Sequence, residues 1–97
     1  MDRIEISKLR RRIKSLQKKL GDLGPVMRGS VVMLGPKDKP KGTFFSLNKD
    51  RKTQLIYLGK KREEKAKEYS QNYKKLLAIV EEMTAINMTL LKENAAD

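Results

Sequence analysis

The sequence contains no cysteine and no histidine. The first absence excludes disulfides and thiolate chemistry, and the second removes the commonest metal ligand and general base. Zinc sites and the common catalytic triads therefore have nothing to be built from. Long apolar runs are missing as well. No window approaches the ~18 uninterrupted apolar residues of a membrane span, and the first residues are charged rather than shaped like a secretion signal. The expected location is the cytoplasm, nucleoid association included.

Carboxylates are scarce beside cations, 12 against 23, giving a net charge of +11 in 97 residues. Those present do not form an acid and base pair. Glu63, Glu64 and Glu68 share a helical face, but Lys60, Lys61, Lys65 and Lys67 are interleaved at ion-pairing spacing. Residues Gly35 to Gly42 lack the Gly-Lys-Ser/Thr ending of a phosphate-binding loop. The expectation is a protein that is not an enzyme, with no cofactor, no metal, no small-molecule substrate and no membrane partner.

The charge that is present is unevenly placed. Residues 1–24 hold 8 basic and 3 acidic groups, 25–59 hold 7 and 2, and 60–75 hold 7 and 3, whereas 76–97 hold 1 and 4. Three consecutive basic segments favour a polyanion partner, because each Lys or Arg that neutralises a phosphate releases condensed counterions. A solubilising surface rich in Lys and Glu would show the same composition.

Within the first basic segment, Ile6, Leu9, Ile13, Leu16, Leu20 and Leu23 follow at steps of 3, 4, 3, 4 and 3. That is a heptad seam, so another helix must cover it. A parallel copy of the same segment would set Arg10, Arg12 and Lys19 against like charges, whereas a segment with acidic flanks suits better. The regular helix is expected over residues 2–21, with Gly21, Gly24 and Pro25 as stops, the helical segment as a whole occupying 2–23.

The period changes in the middle of the chain. Ser30 to Leu34, Thr43 to Leu47 and Thr53 to Leu58 read as three short strands of a meander over residues 29–58. A polar loop with two prolines, Gly35 to Gly42, joins the first two, and a five-residue loop, Asn48 to Lys52, joins the others. Both loops are cationic, through Lys37, Lys39 and Lys41 and through Lys49, Arg51 and Lys52. That composition suits phosphate contact, and equally the blunting of sheet edges.

From Lys60 to residue 94 the period is helical again. Tyr69, Tyr73, Leu76, Val80, Met83, Asn87 and Leu90 form a second seam, broadened by Leu77, Ile79, Ile86 and Leu91. This helix, about 50 Å long, exceeds the reach of the first at about 30 Å, so the sheet or a second protomer must cover the remainder. Asn87 stands at a seam position, where a buried amide fixes register and oligomer state; near a fraying end it would simply be solvated. Glu81, Glu82 and Glu93 flank the seam, and antiparallel pairing brings Lys8, Arg10 and Arg12 alongside them. The expected fold is α+β in one small domain: N-terminal helix, three-stranded antiparallel meander, long C-terminal helix, the helices paired antiparallel in coiled-coil fashion.

Phe44 and Phe45 are adjacent in a strand and must face opposite ways. One belongs in the core, and the other either stacks on a nucleic-acid base or, the favoured reading, packs under the long helix. Tyr57, Tyr69 and Tyr73 are expected as half-buried packing groups with a wet hydroxyl.

The runs Gly24-Pro25-Val26-Met27-Arg28-Gly29-Ser30-Val31, Gly42-Thr43-Phe44-Phe45-Ser46-Leu47, Lys52 to Leu58 and Asn72 to Leu76 resemble a family of short, functionally uncharacterised prokaryotic proteins. Many of its members are encoded near transposase-like or other mobile genes. The resemblance covers most of residues 20–92 in the same order and implies the helix, meander, helix layout and an association with DNA-handling neighbourhoods. Many relatives carry a Cys cluster where this chain has Lys37, Asp38, Lys39 and Pro40, so no metal-binding role carries over.

The leading functional expectation is a non-enzymatic nucleic-acid-binding protein, DNA favoured over RNA, acting as a homodimer or higher oligomer. Its expected phosphate contacts are Arg10, Arg11, Arg12, Lys14, Lys18, Lys19, Arg28, Lys49, Arg51, Lys52, Lys60, Lys61 and Arg62, with Arg28 the one best fixed by structure. The alternative is an assembly or adaptor module whose helices dock a larger protein.

Overall fold

In the computed structural model, which describes residues 1–95, the order is helix α1 (Arg3–Gly21), strands β1 (Ser30–Leu34), β2 (Gly42–Lys49) and β3 (Lys52–Tyr57), and helix α2 (Gly59–Lys92). The class is α+β. Contacts divide the chain into two compact units, one formed by Met1–Leu23 with the chain from Lys75 onward, the other by Gly24–Lys74. Helix α2 contributes residues to both.

In the first unit, α1 starts where Asp2, in extended conformation, accepts a hydrogen bond from the Glu5 amide at 2.8 Å. Glu5 in the first turn and Lys18 and Lys19 in the last complement the helix dipole. The seam residues Ile6, Leu9, Ile13 and Leu16 pack against Ile79, Met83, Ile86 and Leu90 of α2, with Leu16 only 1% exposed. Burying such a leucine contributes about 1.5–3 kcal/mol. The helices run antiparallel, since Met1 meets Glu93 and Arg12 meets Glu82.

The seam on α2 is rotated by one residue from the expected one. Ile79 and Ile86 are buried, whereas Val80 is 44% exposed and Asn87 lies in solvent. Ile79 and Ile86 take the face against α1 in place of Val80 and Asn87, so Asn87 fixes no register between α1 and α2. After Lys92 the chain closes in a Schellman turn: Asn94 is left-handed at φ 55°, its amide bonds to the Leu91 carbonyl and that of Ala95 to Leu90.

In the second unit the sheet has the order β1-β2-β3, both pairs antiparallel, with Val31 opposite Phe45 and Phe45 opposite Ile56. Phe45, 4% exposed, and Leu58 cluster with Ala66 of α2, joined by Met27, Val31 and Leu47. The lead-in to β1 is bonded to α2: the Met27 amide donates to the Tyr69 carbonyl, Ser70 Oγ to that of Gly29, and Asn72 Nδ2 to that of Pro25. Gly29 is required, because at φ 131° a Cβ would lie 2.6 Å from the Ser46 carbonyl oxygen and 2.7 Å from the Phe45 ring.

The second hairpin is tighter than expected. Lys49 pairs with Lys52, leaving a two-residue turn in which Asp50 and Arg51 are both left-handed, at φ 53° and 63°. This is the type I′ arrangement, whose twist matches that of the strands it joins. The cross-strand hydrogen bond from Thr53 Oγ1 to Asn48 Oδ1, 2.7 Å, extends the ladder into what reads as loop.

Candidate nucleic-acid interface

Opposite its seam, α1 carries Lys8, Arg11, Lys14 and Lys18, all exposed, with no carboxylate among them. Helical spacing makes them neighbours along one face. The α1 cations nearest the seam are engaged. Arg12 grips Glu82 through two hydrogen bonds, 2.6 and 2.9 Å, and Arg10 donates to the Ala95 carbonyl at 2.8 Å. The Arg12 hydrogen bonds, aided by the charges of Arg12 and Lys19 and opposed by desolvation, hold the Glu82 carboxyl below its usual pKa. The same hydrogen bonds and then the Glu82 charge raise that of Arg12. Glu93 meets the N-terminal ammonium of Met1, at 3.5 Å, and no ion pair joins Lys8 to Glu81.

In the second unit the expected contacts again divide. Arg28 donates to the Asn48 carbonyl at 2.9 Å, which fixes it against the second hairpin. Arg62 donates to the carbonyls of Leu58, 3.0 Å, and Tyr57, 2.7 Å, and so caps the end of β3. Lys49, Arg51, Lys52, Lys60 and Lys61 are exposed, and among the described residues none of them forms an ion pair. The first turn of α2 contains no acidic residue, although the helix dipole would favour one there.

Nothing matches this chain among protein-family models, curated proteins or solved structures.

Among the described residues no group of three or more Asp, Glu, His or Cys side chains could hold a metal ion, and no helix is long and apolar enough to cross a membrane. One basic groove escaped the sequence reading. Lys67 and Lys74, seven residues apart on α2, line it with Ser30, Ser70 and Gln71 around about 290 Å³, although Lys67 also pairs with Glu63 at 2.9 Å. The i, i+7 spacing of the two lysines was its available signal; the approach of Ser30 was not.

The aromatic residues are sorted by the sheet. Phe45 enters the core, and Phe44 lies on the opposite face with its ring 5.4 Å from that of Tyr57, edge to face. Tyr57 is 58% exposed instead of half-buried, because it lies on the face turned away from the Phe45, Leu58 and Ala66 cluster. Tyr69 and Tyr73 are half-buried.

Proposed function

We propose that the protein is a non-enzymatic nucleic-acid-binding protein, with DNA favoured, that contacts phosphates largely without regard to sequence and oligomerises through its helices. The observation that carries this reading is uncompensated positive charge. Arg11, Lys14 and Lys18 on α1, the hairpin cations Lys49, Arg51 and Lys52, and Lys60 and Lys61 on α2 have no ionic partner among the described residues. On α1 no carboxylate is interspersed among Arg11, Lys14 and Lys18. A surface evolved for solubility alone would favour such interspersion, whereas counterion release on a polyanion rewards leaving them bare. The resemblance to a family of short prokaryotic proteins, many of them encoded near transposase-like or other mobile genes, favours DNA and a place at the nucleoid.

Oligomerisation has its own support. Leu77, Val80, Thr84, Met88 and Leu91 line a second stripe of α2, with Leu77 46%, Val80 44%, Met88 65% and Leu91 67% exposed. It lies roughly a third of a turn from the face that meets α1. The same stripe favours the alternative reading, an adaptor that docks a larger protein. That reading predicts a defined heteromeric complex surviving nuclease and high salt.

The deciding experiment is duplex binding as a function of salt, beside a mass measurement in solution. Log affinity should fall linearly with log salt concentration, and replacing Arg11, Lys14 and Lys18 together by Gln should flatten the slope by about 2–3 units. No detectable binding to duplex DNA or to RNA at low salt overturns the proposal.

A further inference from the structure

A sheet with one face against a helix ordinarily turns polar side chains outward on the other. Here one end of the outward face is apolar, Ser30, Ser46, Asn48 and Thr53 being the polar positions of the other end. The register places Val32, Phe44 and Tyr57 in one cross-strand row, with Leu34 and Leu55 on the same face in the flanking rows. Leu34 is 43%, Leu55 48% and Tyr57 58% exposed. The centre of the apolar end is the edge-to-face pair Phe44 and Tyr57.

Gly42 leaves these rings their space, while a Cβ on Gly59 would stand at ordinary van der Waals distance from Tyr57. A Cβ on Gly42 would lie 3.1 Å from Phe44 and 3.3 Å from Tyr57, and one on Gly59 would lie 3.7 Å from the Tyr57 ring. Each glycine is adjoined by an exposed lysine, Lys41 before Gly42 and Lys60 after Gly59, with Lys61 next in sequence. None of the three is ion-paired among the described residues. The aromatic pair, Tyr57 exposed and Phe44 half-buried, therefore lies beside unpaired cations that adjoin one end of the sheet.

We infer that this face binds single-stranded nucleic acid, a base stacking on Tyr57 and Phe44 while Lys41, Lys60 and Lys61 take the adjoining phosphates. The inference rests on the proposed nucleic-acid function and names the form of the ligand. Only an unpaired base offers its π-face to a side chain, and base-on-aromatic stacking beside a basic track is how single strands are held without sequence preference. A duplex keeps its bases stacked on one another and would leave the aromatic face wet. A second copy of the chain is disfavoured as the occupant, because it would set the same lysines against themselves.

The test uses the full chain with three probes: a fluorescein-labelled oligothymidylate of about 15 nucleotides, a duplex of equal length, and vesicles containing phosphatidylserine. Tyr57→Ala should weaken single-strand binding about tenfold and leave duplex binding unchanged. Phe44→Leu, which keeps the apolar bulk, should weaken the single strand alone in the same way, and Tyr57→Phe should bind as the wild type does. With no Trp present, intrinsic emission reports tyrosine. The single strand should quench it in the wild type and less in Tyr57→Phe. Duplex and single-strand binding both insensitive to Tyr57→Ala and Phe44→Leu overturns the aromatic face while the phosphate-binding proposal stands. Binding to neither nucleic acid overturns both. Vesicle binding that Tyr57→Ala abolishes, with oligothymidylate binding unaffected, makes the face a membrane contact and overturns the inference.

Discussion

Arg51 holds left-handed backbone at the second position of its turn, where glycine meets no steric penalty. A non-glycine residue there costs about 1–2 kcal/mol, offset in part by the greater flexibility glycine has when unfolded. Arg51→Gly should therefore stabilise the protein by up to about 1 kcal/mol in denaturant unfolding, while reducing nucleic-acid affinity at low salt by about one phosphate contact. A gain in stability with no loss of affinity would show that the arginine is strained to no purpose. At this scale the sequence was half legible. It showed which side chains carry charge, but not that Arg28 and Arg62 would turn to backbone carbonyls, because Asn48, Tyr57 and Leu58 come within reach only once the hairpin and α2 have formed.

The elements themselves were plain where a single periodicity dominates. On α1 only one aliphatic stripe exists, and Leu16 is buried as its spacing requires. On α2 aliphatic residues surround much of the helix, so spacing alone could not choose between Ile79 and Val80, or between Ile86 and Asn87. The face against α1 fell to Ile79 and Ile86. The hairpin loop was misjudged because Lys49 and Lys52 read as polar loop residues, yet they pair across the strands. The link between α1 and α2 also has a pH signature. Glu82 is held below its usual pKa by Arg12, so its stabilising contribution is complete above the unfolded carboxyl value of about 4.5 and is lost as pH falls through the lower folded value. Thermal melts followed by circular dichroism between about pH 3 and 6 should decline more gently in Glu82→Gln than in the wild type. Identical acid limbs would mean that the pair is held without stabilising the helices.

For the whole molecule, a net charge of +11 governs how copies meet one another as well as how they meet a polyanion. Strand β3 is an edge strand, paired only with β2, and every residue in it from Lys52 to Tyr57 is exposed. Its stretch Thr53-Gln54-Leu55-Ile56-Tyr57 carries no charge of its own and leaves one side of the backbone ladder unpaired. What separates one such edge from the next is then long-range repulsion, which reaches about 10 Å at 0.1 M salt and about 3 Å at 1 M. The protein should be a charge-stabilised colloid. Light scattering of a concentrated solution is expected to rise as sodium chloride is increased, and Gln54→Lys, which puts a cation on the edge itself, should move that threshold to higher salt. The strip that ends the meander would thus be kept from self-templating by charges that lie mostly elsewhere in the chain.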